Sequence, residues 1–181
     1  MTTIIGVQST EGCVIVSDSL VVADGKIYNH PDMVKAVERG SYIIGGAGDY
    51  RALQVVLHGW IPPVVTVKAK LNLYEFVINK VAPSLKQTLT ESGIEFTKTN
   101  DSEDNKFELS LIIGINGSLF EIDSDFAVAM NNTGLYAIGS GGDYALGALH
   151  AGASALEAIK IAAINNNGTS APFHILEQYI K

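Results

Sequence analysis

Nine short segments of the chain are rich in β-branched and apolar residues and are bounded by turn-forming Gly, Asn, Asp and Ser. They occupy positions 3–8, 13–18, 33–38, 41–45, 108–115, 119–123, 127–131, 135–139 and 175–180. Runs of this length and composition are typical of β-strands, and the short polar turns between successive runs favour hairpins. The pattern therefore predicts antiparallel pairs of strands.

Helical spacing of apolar positions is found in two separate parts of the chain. It predicts a short helix over 49–58 and a long amphipathic helix over roughly 70–92, bent at Pro83 and ending at Gly93. Two further helices are predicted over 143–153 and 154–165. Runs of strands thus alternate with runs of helices, which indicates an α+β fold. We expect a four-layer αββα sandwich, with two antiparallel sheets face to face and helix pairs outside.

Composition narrows the class of protein. The chain has 181 residues, of which 47% are hydrophobic, enough for a core within a single domain spanning residues 1–181. The polar stretch at 97–107 lacks periodicity and is predicted to be an exposed loop. A net charge of -7 disfavours nucleic acid as a partner.

Targeting and metal chemistry are not indicated by the sequence. No apolar run reaches the 18 or so residues that a membrane span needs, and the start lacks the basic region of a secretory signal. We therefore expect a cytoplasmic protein without a membrane anchor. Cys13 is the only cysteine and the four histidines are scattered, so the pattern predicts neither a metal site nor a cofactor.

Thr2 follows the initiator methionine and is the one nucleophile candidate with a base of its own. If Met1 is removed, the freed α-amine of Thr2, with an ordinary pKa of about 7.7–8.0, can take the proton of the threonine hydroxyl near neutral pH. By position alone this is a weak signal, because Met-Thr-Thr is a common way to begin a protein.

Five segments, in order along nearly the whole chain, give this signal weight. They are Thr2-Thr3-Ile4-Ile5-Gly6-Val7, Gly12-Cys13-Val14-Ile15-Val16-Ser17-Asp18-Ser19, Lys35-Ala36-Val37, Tyr42-Ile43-Ile44-Gly45-Gly46-Ala47-Gly48 and Ala137-Ile138-Gly139-Ser140-Gly141-Gly142-Asp143-Tyr144-Ala145. Together they resemble the ordered landmarks of proteasome β-type N-terminal-nucleophile (Ntn) hydrolases. In length the chain is most similar to the bacterial HslV branch of that family.

The resemblance implies roles for five residues. Thr2 matches the nucleophile and its freed amine the general base, while Lys35 matches a lysine that keeps this amine neutral and Asp18 the carboxylate that orients the lysine. Gly48 matches the glycine whose backbone N–H stabilises the oxyanion, and Ser140 the serine beside the terminal amine.

Two departures from the family pattern leave alternatives open. The segment from Tyr42 to Gly48 is one residue shorter than in the family, so the oxyanion glycine could instead be Gly46. The family's aspartate, followed three residues later by a serine, is replaced by neutral residues near the last helix. The candidates are Asn166 with Thr169, or Asn167 with Ser170.

The resemblance also implies a function and an assembly. The expected function is that of a threonine-type endopeptidase subunit, active on unfolded polypeptides once Met1 is removed, in a ring of six or seven copies, single or stacked. An ATP-dependent unfoldase partner is implied by the resemblance alone. The alternative is a catalytically inactive shell or scaffold subunit with the same fold.

Overall fold

The computed structural model describes residues 1–23, 25–28, 30, 32–96 and 107–180. Its strands are β1 (Ile4–Gln8), β2 (Gly12–Ser17), β3 (Val21–Ala23), β4 (Lys26–Tyr28), β5 (Ala36–Arg39), β6 (Tyr42–Gly48), β7 (Leu109–Ile115), β8 (Ser118–Ile122), β9 (Val128–Ala129), β10 (Leu135–Ile138) and β11 (His174–Tyr179). Its helices are α1 (Tyr50–Gln54), α2 (Val67–Leu71), α3 (Leu73–Phe76), α4 (Ala82–Glu91), α5 (Gly142–His150) and α6 (Ala155–Asn165), with π-helical turns at Val55–Gly59 and Val77–Val81.

The strands of the described residues pair in two antiparallel sheets and one separate hairpin. The first sheet has the order β10-β1-β2-β11 and the second the order β5-β6-β7-β8-β9, while β3 pairs with β4. The mixture of helices and strands predicted from the sequence is confirmed. Residues 97–106 of the predicted exposed loop lie outside the described residues.

One cluster of buried side chains, the inter-sheet cluster, contains residues from both sheets. Ile4 and Ile15 come from the first sheet, and Ile43, Ile112 and Leu119 come from the second. All five are less than 2% exposed. Because successive side chains of a strand point to opposite faces, the neighbours of these residues face away from this cluster.

The outward faces of the two sheets pack against different helices. Trp60 and Leu85, from the segment that contains α1 to α4, pack with Phe120 of the second sheet in a group of buried side chains that we call the large helix cluster. In the small helix cluster, Ile5 of the first sheet packs with Ile159 of α6 and with alanines of α5 and α6. The small alanine side chains allow this helix pair to pack closely against the first sheet.

The region between β2 and β6 differs from the sequence prediction. The predicted strand over 33–38 begins only at Ala36, so Lys35 lies immediately before β5 and not within it. The hairpin of β3 and β4 was not predicted, because its strands are three residues long and too short to show a period. In a different part of the chain, after β8, the predicted strand at 127–131 is reduced to Val128–Ala129.

The long predicted helix over 70–92 is divided. Asn72 has φ of -147° and its side chain accepts a hydrogen bond from the Glu75 N–H, so it ends α2 and caps α3. A π-helical turn, Val77–Val81, precedes Pro83, which lies in the first turn of α4, where its missing N–H has no partner within that helix to lose. The helix ends before Gly93, which has φ of +78°, as predicted.

Candidate active site

Strand pairing brings three of the predicted site residues to one edge of the first sheet, by which we mean the ends of its strands and not an outer strand. Ile4, the first residue of β1, pairs with the last residue of β2 on one side and the last residue of β10 on the other. Thr2 precedes β1, Asp18 follows β2 and Ser140 lies two residues beyond β10. Because the neighbouring strands are antiparallel, the start of β1 and the ends of both partners coincide.

Asp18 and Lys35 form a buried ion pair at this edge. Lys35 Nζ lies 2.8 Å from Asp18 Oδ1, and the two side chains are 1% and 0% exposed. The Asp18 carboxylate also accepts backbone N–H groups from Thr3 at 2.9 Å, Leu20 at 3.0 Å and Ser170 at 3.4 Å. The carboxylate is therefore held by backbone groups from three segments, which satisfies the demand for partners that burial imposes.

The ammonium group of Lys35 reaches the peptide that precedes Thr2. Lys35 Nζ donates to the carbonyl oxygen of Met1 at 3.1 Å, and the hydroxyl of Thr2 donates to the same oxygen at 2.6 Å. Burial lowers the pKa of Lys35 below its ordinary value, and the charge and hydrogen bond of Asp18 act in the opposite direction. While Met1 is attached, the nitrogen of Thr2 is an amide and cannot serve as a base.

Ser140 contacts the nitrogen of Thr2. The Thr2 N–H donates to Ser140 Oγ at 3.2 Å. The Ser140 hydroxyl donates in turn to Asn166 Oδ1, also at 3.2 Å. Asn166 Nδ2 in turn donates to the Ser140 carbonyl at 2.9 Å, while Oδ1 also accepts from the Gly168 N–H at 2.8 Å and from Thr169 Oγ1 at 3.3 Å. Asn166 thus fixes Ser140 through two contacts.

Of the two pairs that the sequence offered near the last helix, Asn166 with Thr169 lies against Ser140. Asn167 is exposed, and Ser170 reaches the site through its backbone N–H to Asp18. Thr169 is 4% exposed, and its hydroxyl oxygen lies 2.5 Å from that of Thr3. Sequence reasoning missed Thr3, although a second polar residue directly before an apolar strand was the available signal.

Gly48 and Gly46 have different surroundings. The Gly46 N–H donates to the Lys35 carbonyl at 3.1 Å, on the β5 side, whereas the Asp49 N–H donates to the Glu108 carbonyl at 2.6 Å, on the β7 side. N–H directions alternate along a strand, so the Gly48 N–H points to the β5 side, beyond the end of β5. Gly48 has φ of +117°, and a Cβ there would collide with the Glu108 backbone.

A cavity of about 440 Å³ opens between these groups. Thr2, Gly48 and Ser140 line one part of it, while Gly46 does not border it. By this alternation the Gly48 N–H takes no part in the strand pairing, and it lies beside the hydroxyl and the nitrogen of Thr2. An N–H in this position can stabilise negative charge on an acyl oxygen. Gly48 borders the cavity, whereas the N–H of Gly46 is already bonded to the Lys35 carbonyl.

Other candidate chemistry is weaker in the described residues. Cys13 is buried in the inter-sheet cluster, and burial raises the pKa of its thiol to about 12, so a thiolate is scarce near neutral pH. Among these residues, no group of three His, Cys, Asp or Glu side chains is placed to hold a metal ion. No helix in the described ranges is long and apolar enough to cross a membrane.

Comparisons with known proteins give similarity in structure only. No family model matches the sequence, and no curated protein matches it. The structure of Thiobacillus denitrificans BPH is 15% identical, with a TM-score of 0.76 over 99% of this chain and 98% of that one. A second structure of that protein, in complex with epoxomicin, has a TM-score of 0.75 at 15% identity, over 99% of each chain.

Two other solved structures belong to related groups. HslV from Trypanosoma brucei is 22% identical, with a TM-score of 0.61 over 98% of this chain and 99% of that chain. Anbu, an ancestral beta-subunit from Yersinia bercovieri, is 18% identical, with a TM-score of 0.68 over 98% of this chain and 81% of that chain. The chain therefore has the proteasome-type fold of the Ntn hydrolases that its sequence resembles.

Proposed function

We propose that this chain is a threonine-type endopeptidase subunit in which Thr2, freed of Met1, is the nucleophile. The observation that carries the proposal is the buried Asp18–Lys35 ion pair, whose ammonium lies 3.1 Å from the carbonyl attached to Thr2. A buried ion pair adds little stability over apolar residues of the same volume. Its position beside a hydroxyl nucleophile therefore favours a chemical role.

The base in the proposed mechanism is the α-amine of Thr2. Removal of Met1 converts an amide into an amine with an ordinary pKa of about 7.7–8.0. The positive charge of Lys35 disfavours protonation of a nearby amine, which keeps the amine able to accept the hydroxyl proton. Ser140 lies 3.2 Å from the same nitrogen and can orient it.

The reaction then proceeds by acyl transfer. The amine takes the proton of Thr2 Oγ1, the oxygen attacks the substrate carbonyl carbon, and the Gly48 N–H stabilises the oxyanion. Collapse of the tetrahedral intermediate breaks the C–N bond, and the ammonium of Thr2 gives its proton to the leaving amine. Water, activated by the same amine, then hydrolyses the ester on Thr2 and regenerates the hydroxyl.

The alternative is a catalytically inactive shell or scaffold subunit. It would hold if Met1 stayed attached, because the nitrogen of Thr2 would then remain an amide. An inactive subunit has no need of a buried ion pair that is costly to desolvate, so the intact Asp18–Lys35 pair favours the enzyme.

We further propose that the elements form a four-layer αββα sandwich in one domain and that copies of the chain assemble into a ring of six or seven, single or stacked. Four large apolar side chains around α2 support assembly, since each is between 81% and 83% exposed in the isolated chain. They are Ile61, Val64, Val67 and Leu71. A cytoplasmic location and an ATP-dependent unfoldase partner belong to the same proposal and follow from the family resemblance alone.

Hydrolysis of an unfolded protein tests the proposed function. Processed chain, shown by intact mass to lack Met1, is incubated with fluorescently labelled, unfolded casein, alone and with a matched unfoldase. We expect cleavage by the wild type, residual cleavage by Thr2→Ser and none by Thr2→Ala, with all three equally folded. If processed wild type and Thr2→Ala release fluorescence at the same rate, the enzyme proposal is wrong and the shell subunit replaces it.

A further inference from the structure

The cavity beside Thr2 has a second wall that the proposed mechanism does not use. Glu108, Ser110 and Ser124 form this wall, in the same cavity that Thr2 and Ser140 line. These residues belong to the second sheet and its connections, while Thr2 and Ser140 belong to the first. A substrate whose carbonyl carbon lies at Thr2 can therefore place a neighbouring side chain against residues of the second sheet.

The direction of β7 brings Glu108 and Ser110 to the same side. Ile112 belongs to the inter-sheet cluster, whereas Leu109 and Leu111 belong to the large helix cluster. By the two-residue alternation of a strand, positions 108 and 110 share the face of Ile112, which is the face that borders the cavity. Ser110, within β7, and Glu108, one residue before it, both border the cavity in front of Thr2.

The polar groups on this wall differ in what they can still bind. Ser124 Oγ is bonded to both the N–H and the carbonyl of Leu109, and Ser110 Oγ donates to Asp123 Oδ1 at 3.1 Å. Within the part of the chain that the structure describes, the Glu108 carboxylate has no ion-pair or hydrogen-bond partner. Among the described residues that line the cavity, Glu108 is also the one with a charged side chain.

We propose that this cavity receives a basic side chain, lysine or arginine, of a substrate residue that flanks the scissile bond, and that Glu108 is the residue that selects it. The inference rests on the proposed function and names its substrate class. A cationic side chain can pair with the Glu108 carboxylate and donate to Ser110 Oγ, which can accept while it donates to Asp123.

Other substrate side chains fit this cavity less well. An acidic side chain would meet the like charge of Glu108 in a chain that already carries a net charge of -7. A large aliphatic side chain would cover the carboxylate and the serine hydroxyl without bonding to either, which leaves polar groups desolvated and unpaired. The exposed position of Glu108 limits the preference to about fivefold in kcat/KM, as for other solvent-screened pairs.

The test uses processed, assembled protein and internally quenched peptides that differ at one position. Lys, Gln, Leu or Glu is placed on either side of the cleaved bond, kcat/KM is measured for each peptide, and mass spectrometry of the fragments identifies the bond. We expect Lys to be preferred by about fivefold over Gln on one side of the bond. Glu108→Gln should remove this preference, and Glu108→Lys should invert it in favour of Glu.

The matched control is Glu91→Lys, which makes the same charge change on an exposed residue at the end of α4 and should leave the preference intact. Equal kcat/KM for Lys, Gln and Leu peptides, or a preference for Lys that survives Glu108→Lys, would overturn the selection by Glu108 while leaving the peptidase itself in place. Failure of the wild type to cleave every peptide would overturn the proposed function and this inference with it.

Discussion

Two parts of the space between the sheets are built from opposite kinds of side chain. At the edge where β1 begins, the buried groups are the charged Asp18 and Lys35 and the hydroxyl of Thr2. Within the strands of the two sheets, Ile15 and Ile112 lie in a cluster that is wholly apolar apart from one thiol and one tyrosine hydroxyl. The chain thus buries charge just beyond the ends of its strands and hydrocarbon within them.

The contrast separates stability from chemistry. Apolar burial stabilises the fold by about 25 cal/mol for each Å² removed from water, whereas a buried ion pair roughly breaks even against its desolvation cost. The apolar part should therefore contribute to the free energy of unfolding with little effect on turnover. The polar part should control turnover, and four substitutions test this division.

Lys35→Met should have the largest effect. It removes the charge that keeps the Thr2 amine neutral, so we expect kcat to fall by about a thousandfold or more. It also leaves the Asp18 carboxylate buried without a counter-charge, which should lower the free energy of unfolding by about 3 kcal/mol. Peptide hydrolysis and urea unfolding of the processed protein measure the two effects. The exposed Lys68→Met is the control, and an active Lys35→Met would remove Lys35 from the mechanism.

Ile112→Ala should change stability far more than chemistry. It truncates a fully buried side chain of the inter-sheet cluster, so the free energy of unfolding should fall by about 2–5 kcal/mol. Activity per folded molecule should stay within about twofold, because Ile112 contacts none of the proposed reacting groups. Urea titration checks the first value, and Ile164→Ala, at a residue that is 82% exposed, should cost less than about 0.5 kcal/mol. Equal losses at both sites would contradict the division.

Asn166→Asp should shift the pH dependence of activity. A carboxylate at this position, joined to the Thr2 nitrogen through Ser140, stabilises the protonated amine and raises its pKa. The acidic limb of the kcat/KM profile should therefore move to higher pH, by about one unit. Asn167→Asp adds the same charge one residue away on an exposed side chain. The same shift in both variants would mean that the Ser140 contact plays no part.

Ser17→Ala should have the smallest effect and the opposite sign. Ser17 is fully buried at the border between the polar and apolar parts, and its hydroxyl has no hydrogen-bond partner among the described residues. Removing an unpaired buried hydroxyl should raise the free energy of unfolding by about 1 kcal/mol. Differential scanning calorimetry of the processed protein would show this as a higher Tm. A lower Tm would mean that the hydroxyl is bound in the native state.

The sequence predicted those features that depend on local pattern. The strands of both sheets, the helix pair before Asn166 and the stop at Gly93 follow from periods and turn residues. The break at Asn72 was missed because the helical spacing of apolar residues continues from α2 into α3. A single Asn within such a pattern does not by itself indicate a helix cap. The hairpin of β3 and β4 has six strand residues in all, too few for any period to emerge.

The candidate site depended on pairing that a sequence does not display. Thr2, Asp18, Lys35, Gly48 and Ser140 were chosen from motifs. Antiparallel register in the first sheet brings Thr2, Asp18 and Ser140 together, whereas Lys35 and Gly48 reach them from the side of the second sheet. The proposal of Gly48 rather than Gly46 rests on the alternation of N–H directions along β6, which the sequence does not display. Glu108 belongs to no motif. Its position near Thr2 results from the way in which the two sheets meet, which the sequence does not show.

Covalent labelling of Thr2 tests the central claim most directly. Processed wild type, Thr2→Ala and a form that retains Met1 are incubated with epoxomicin, the compound found in complex with the similar BPH protein, and their intact and peptide masses are measured. We expect one inhibitor per chain on the Thr2 peptide of the processed wild type and none on the other two forms. An unlabelled processed chain, or a label elsewhere that persists in Thr2→Ala, would contradict Thr2 as the nucleophile.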